Sequence, residues 1–133
     1  MAEPFQFDLV SPERLLMSEQ VDQVVVTGTE GQFTVLSGHA PVMTTIRPSV
    51  LRVSYGGKED RIFVLGGFAD VSTGGLTILA EKATPMAEVK ADDLTSEIKR
   101  AEEAVGEAKD ETERAEAAMK VDSLKQVQAE IGH

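Results

Sequence analysis

The stretch that decides the fold is Val64-Leu65-Gly66-Gly67-Phe68-Ala69-Asp70-Val71-Ser72-Thr73-Gly74-Gly75-Leu76-Thr77-Ile78-Leu79-Ala80. Two Gly-Gly pairs bracket Phe68 to Ser72, and Leu76 to Ala80 follows the second pair. Each segment is too short for a helix and has the length of a strand. Glycine reaches positive φ without a steric penalty, as tight hairpin turns require. The stretch therefore predicts two short strands joined by a tight turn.

Working toward the N-terminus, the same grammar repeats. Gly56-Gly57 separates Val50 to Tyr55 from Arg61 to Leu65. Ser37-Gly38-His39-Ala40-Pro41 is a loop ahead of a strand at Val42 to Ile46. Thr29-Glu30-Gly31 turns a β-branched run, Gln20 to Thr27, into Gln32 to Leu36. Phe5, Phe7 and Leu9 alternate with Gln6 and Asp8 until Ser11-Pro12-Glu13 breaks the pattern. Eight to ten short strands at this spacing predict a β-sandwich or flattened barrel.

Toward the C-terminus the composition changes. All five prolines and all five phenylalanines lie no later than Pro85, and after it the chain is rich in Ala, Glu and Lys. The expected division is a β-sandwich over 1–87 and an α-helical domain over 88–133, an α+β chain. Leu94, Ile98, Ala101, Val105 and Ala108 form one helical stripe. Ala117, Val121, Leu124, Val127 and Ile131 form a second. Asp93 or Thr95 is placed to cap the first helix, and Asp110 with Glu113 reads as a capping box for the second. Asp110–Arg114 and Glu116–Lys120 are spaced as i,i+4 pairs. Gly106 is the one helix-weakening residue near the joint. A hairpin is the first expectation, with one continuous helix as the alternative. Leu94, Ile98, Val105, Val121, Leu124 and Val127 supply most of the arm's aliphatic packing. That is little for its length, so the arm is expected to exchange packing partners at modest cost.

Composition excludes several classes of function. The net charge of −10 opposes binding to a phosphate backbone or to anionic lipid. No cysteine is present, so there is no disulfide frame, thiolate nucleophile or thiolate-ligated zinc. The N-terminus lacks a secretory or transit pattern, and no segment reads as a membrane span. There is no phosphate-binding G-x-x-x-x-G-K-[ST] loop and no dinucleotide G-x-G-x-x-G turn. Of the two histidines, His133 is terminal. His39 has no partners at metal-ligand spacing, and no orienting group completes a triad with Ser37. His39 reads either as a loop residue bonded to backbone or as part of a protein interface. Catalytic, cofactor and metal residues are accordingly assigned to none.

Several segments together resemble a known family. Phe7-Asp8-Leu9-Val10-Ser11-Pro12-Glu13, Val24 to Gly28 with Glu30-Gly31-Gln32-Phe33, Gly38-His39-Ala40-Pro41, Gly66-Gly67-Phe68 with Val71, and Leu79-Ala80 with Ala83 are similar, in register, to epsilon subunits of F-type ATP synthases. The resemblance implies a non-catalytic rotor component. It would bind the gamma subunit and the ring of c subunits at the cytoplasmic face of a bacterial inner membrane, and contact alpha and beta through its helical tail. Carried over by position, Glu30, Gly31 and Gln32 would meet the c ring. Gly38, His39, Ala40 and Pro41 would lie near both gamma and the ring. Thr34, Ser37 and Ser49 stand where the family often has glycine, proline and glycine. Some members bind ATP through Ile or Leu followed by Asp and, two residues on, Arg-Ala. Here Leu94-Thr95-Ser96-Glu97-Ile98-Lys99 lacks both parts, with Arg100-Ala101 displaced, so no nucleotide cofactor is expected. The competing readings are a regulatory tail that blocks ATP hydrolysis, and a generic β-sandwich binding module with a coiled-coil tail.

Overall fold

A computed structural model describes residues 3–131. Alternation in the sequence becomes alternation in burial. In β1 (Phe5–Val10) the side chains of Phe5, Phe7 and Leu9 are buried while Gln6, Asp8 and Val10 are only partly so. β3 (Gln23–Gly28) buries Val24 and Val26 in the same way, and β9 (Gly75–Ala80) buries Leu76, Ile78 and Ala80. With β2 (Leu15–Val21), β4 (Gly31–Val35), β5 (Val42–Ile46), β6 (Ser49–Tyr55), β7 (Lys58–Val64), β8 (Gly67–Ser72) and β10 (Ala83–Pro85), the described residues form ten strands.

The strands make one curled sheet in the order β10-β7-β6-β3-β5-β8-β9-β1-β2, with β4 paired to β3. The sheet folds over between β3 and β5, where a single residue pair, Gly28 with Ile46, joins them. One layer is then β10-β7-β6-β3-β4 and the other β5-β8-β9-β1-β2. Neighbours are antiparallel except β1 with β9. Inward-facing side chains of both layers, among them Phe7, Leu9, Leu51, Val53, Val64 and Ile78, form the main core.

Two glycines fit only as glycine. A Cβ on Gly67, at φ 143°, would lie 2.0 Å from the Leu79 carbonyl oxygen. One on Gly75, at φ 151°, would lie 2.2 Å from that of Gln6. Both permit close strand approach at the ends of β8 and β9.

Three sequence expectations are corrected. The run from Gln20 to Thr27 is not one strand: β2 ends at Val21 and β3 begins at Gln23. β2 escapes the alternation rule because it is an edge strand whose register with β1 shifts between Leu9 and Val10. Neither Asp93 nor Thr95 caps the first helix. α1 (Ala91–Glu107) is preceded by Lys90, which makes no side-chain cap, and the Thr95 hydroxyl donates instead to the Ala91 carbonyl at 3.0 Å. The helix start follows from packing, since Leu94 and Ile98 must face the sheet. Arg114 pairs with Glu111 at 2.6 Å rather than with Asp110, and Glu116–Lys120 is not among the ion pairs of the described residues.

Asp110 is unavailable to Arg114 because it caps α2 (Glu111–Ile131). Its Oδ1 accepts the Glu113 N–H at 2.8 Å, while a Glu113 carboxylate oxygen accepts the Lys109 N–H at 2.8 Å. This reciprocal cap, with Ala108 extended at ψ 136°, breaks the helices into a hairpin. Gly106 lies inside α1, so it is not where the chain turns. His133 lies outside the described residues.

The hairpin docks on the outer face of β6 and β7. Val50 and Phe63, cross-strand neighbours pointing away from the main core, pack with Leu94, Ile98, Ala101, Leu124 and Val127. Val121 and Ile131 are half-buried against this second core, and Val105 is half-buried further out. Arg52, also outward, pairs with Glu130 of α2 at 2.6 Å. Because the two cores are separate, the arm can loosen without the sandwich. Leu124→Ala, which removes a fully buried side chain, is expected to cost ~2–5 kcal/mol. Hydrogen exchange should accelerate by about tenfold or more across residues 91–131 and leave β1 to β9 unchanged. Acceleration spread evenly over sandwich and arm would contradict two separable cores.

Candidate interaction surface

The two loops singled out in the sequence both belong to β4. Thr29 and Glu30 form the tip of the β3–β4 hairpin, closed by the pairing of Gly28 with Gly31, and Gln32 is its first exposed strand residue. Gly31 has φ 124°. After β4 the chain turns at Leu36 to His39, where the His39 N–H donates to the Leu36 carbonyl at 3.1 Å. Gly38 occupies the third position of that turn with φ 81°, the geometry of a type II turn.

The turn folds His39 back along β4. Its ring centroid lies 6.2 Å from that of Phe33, at an interplanar angle of 39°. Phe33 in turn covers Gly28: a Cβ there would lie 3.2 Å from the Phe33 ring. His39 and the Glu30–Gln32 hairpin are thus joined through Phe33. Gly38, Ala40 and Pro41 are exposed around a half-buried His39. The His39 Nδ1 lies 2.7 Å from the Ala40 carbonyl, which can only accept, so this nitrogen is the donor and Nε2 is left free. The backbone-bonded reading of His39 holds, and it leaves the ring edge available to a partner.

Beside these loops lies a larger feature that the sequence reading did not single out as a site. In the second layer, register places Thr45, Phe68, Leu79, Val10 and Leu15 opposite one another across β5, β8, β9, β1 and β2. At the usual strand spacing this row is about 19 Å long. Phe68 is 49% exposed, Leu79 48% and Leu15 58%, so it is an apolar row open to solvent. The signal in the sequence was phase. Phe68 is out of step with inward Ala69 and Val71, and Leu79 with inward Ile78 and Ala80. Large apolar residues on the outward phase need a cover or mark a contact.

The next row on the same face is mostly polar: Met43, Asp70, Thr77, Asp8 and Ser18. Asp8 accepts from the Ser18 hydroxyl at 2.7 Å and from the Gln6 amide at 3.0 Å, and the Gln20 amide donates to Gln6 at 2.7 Å. The Ser18 and then the Gln6 hydrogen bond hold the Asp8 carboxyl below its ordinary value of 3.8. A lowered folded-state value stabilises the fold above the ordinary carboxylate range, and that contribution is lost as pH falls through the lowered value. β1 and β2 are therefore tied to each other by polar side chains, while the apolar row beside them is open.

Little here suggests reaction chemistry. Among the described residues no three His, Asp or Glu side chains converge as metal ligands. No helix of the described residues is long and apolar enough to cross a membrane. Of the displaced Arg100-Ala101 in the arm, Ala101 lies in the second core, while Arg100 is exposed and pairs with Glu97 at 3.1 Å.

Residues 4–86 match the family described as ATP synthase, Delta/Epsilon chain, beta-sandwich domain. The ATP synthase epsilon chain of Maricaulis maris is 50% identical over the full length of both chains. That of Parvibaculum lavamentivorans is 50% identical over 96% of this chain and 97% of its own. Among solved structures, a chain of the Euglena gracilis mitochondrial ATP synthase, in an OSCP/F1/c-ring assembly, superposes with a TM-score of 0.75 at 27% identity, over 98% of this chain and 82% of that one. A chain of the Tetrahymena thermophila mitochondrial central stalk and c ring shares the fold at 12% identity, with a TM-score of 0.71 over 96% of each. Sequence and architecture agree, and the chain belongs to the epsilon chains of ATP synthase, accessory subunits that are not themselves catalytic.

Proposed function

We propose that the chain is a central-stalk subunit that carries torque between the c ring and the gamma subunit, with gamma seated on the uncovered outer face of the second layer. The carrying observation is an asymmetry. The outer face of β6 and β7 is covered by the helices through Val50 and Phe63, whereas Phe68, Leu79 and Leu15 on the outer face of the second layer remain about half exposed. A rigid sandwich with one bare apolar row suits a stator-free joint between two partners, because the row supplies the contact and the sheet transmits force. The Euglena relative comes from an OSCP/F1/c-ring assembly, which supports the stalk role.

Within that reading, Glu30, Gly31 and Gln32 present a charged and polar hairpin tip to the c ring. The tip adjoins the docking row, the Thr29 hydroxyl donating to the Thr45 carbonyl at 3.2 Å, and Gly38, His39, Ala40 and Pro41, at the other end of β4, are assigned to contacts near gamma and the ring. Exposed loops anchored on a rigid sheet make good contact points. The complex would hold the chain at the cytoplasmic face of the bacterial inner membrane without insertion. Binding to purified gamma tests the docking face directly. Phe68→Glu and Leu79→Glu leave the inward core untouched, and each is expected to weaken binding at least about tenfold. Replacement of Gly38 to Pro41 by a neutral linker should weaken it as well. Undiminished binding by both glutamate variants would remove gamma from this face.

A second role has its own observation. The distal part of the hairpin, from Glu111 to Glu116, is exposed, and the arm rests on a core separate from the sandwich. We infer that the arm can leave the sheet to contact alpha and beta and restrain ATP hydrolysis. Truncation after Ala87 should then raise hydrolysis by the assembled enzyme. An unchanged rate would leave the arm a structural element only.

A further inference from the structure

The apolar row continues past the sandwich. Phe68 and Leu79 line a cleft of about 640 Å³ whose opposite wall is α2 at Glu116, Met119 and Lys120. Gly66 and Gly67 also line it, so part of its surface is bare backbone. Met119 is 38% exposed, and among the described residues it is the only large exposed apolar side chain on either helix. It is not on the stripe that meets α1, which runs through Val121, Leu124 and Val127. The arm therefore presents one apolar side chain toward the same opening as the uncovered sheet.

We propose that this cleft is the far end of the gamma-docking surface, so that gamma touches the sandwich and the docked arm together. The inference rests on the docking reading above and adds a regulatory consequence to it. A partner that contacts Met119 only while α2 is docked binds the docked state more tightly than the open one. By reciprocity, gamma holds the arm down, and a docked arm tightens gamma. The occupant follows from continuity with Phe68 and Leu79, and from a lining that carries charges of both signs, Arg47 and Lys120 against Glu81 and Glu116. Apolar walls with mixed charge suit an amphipathic protein segment and not a polyanion.

The test uses the full chain and purified gamma. Hydrogen exchange is followed across residues 111–131 with and without gamma, for the natural sequence, Met119→Glu and Met119→Ala. Gamma is expected to slow arm exchange about tenfold in the natural chain. Met119→Glu should abolish that protection and weaken gamma binding about fivefold to tenfold, with Met119→Ala in between. Binding of gamma with arm exchange unaltered or faster, and with Met119→Glu binding as the natural chain does, would overturn the coupling while leaving the docking reading intact. Absence of any gamma binding by the natural chain would overturn both. Self-association of the chain that Met119→Glu abolishes would assign the cleft to a second copy and also overturn the proposal.

Discussion

The structure depends on a pair of strands buried on both faces. In β6 and β7, Leu51, Val53, Ile62 and Val64 face the sandwich core, while Val50 and Phe63, opposite one another, face the helices. Strands covered on both sides lose the alternation of a half-buried sheet and become continuous buried runs, as Ser49 to Leu51 and Ile62 to Val64 are here. This one pair carries the arm, joins the two cores, and leaves the opposite outer face as the apolar surface with no cover. Covering one side and exposing the other gives the sandwich two unlike outer faces.

Electrostatics reinforce the arm's position without dominating it. Arg52 and Arg61 are direct cross-strand neighbours, an unfavourable pairing of like charges. Glu59 lies between them, 4.0 Å from Arg52 and 3.2 Å from Arg61, and Glu130 of α2 reaches Arg52 at 2.6 Å. All four are partly exposed, so the network contributes on the scale of surface ion pairs, about 1 kcal/mol or less each. Its value is positional. Leaving the sheet strips Arg52 of one of its two carboxylates, so the arm's charge is matched to one resting place while its small core keeps departure feasible.

Much of this was legible in the sequence, because burial period and turn chemistry are local. The Gly-Gly pairs, the Phe5-Phe7-Leu9 alternation and the two helical stripes each required only neighbouring residues. The cap formed by Asp110 and Glu113 was readable for the same reason. What was not legible depended on contacts distant in the chain. β2 lacks alternation because it is an edge, with a shifted register beside β1. α1 begins where Leu94 must meet Phe63, not where a capping side chain stands. The outward row of Thr45, Phe68, Leu79, Val10 and Leu15 exists only after five strands are set in register. Its trace in the sequence, large apolar residues on the polar phase, is visible once the inward phase is known.

The central claim is that the uncovered sheet face is the one turned toward gamma. The natural chain has no cysteine, so a single introduced thiol is an unambiguous reporter. Thr77→Cys lies on the uncovered face, exposed and beside Asp70. Asp92→Cys lies on the exposed surface of the arm. Each would carry a short photoreactive crosslinker in the assembled ATP synthase, with products identified by mass spectrometry. The account predicts gamma adducts from Thr77→Cys and none from Asp92→Cys. Gamma adducts from Asp92→Cys with none from Thr77→Cys would mean that the sandwich faces gamma the other way round, and the claim would fail.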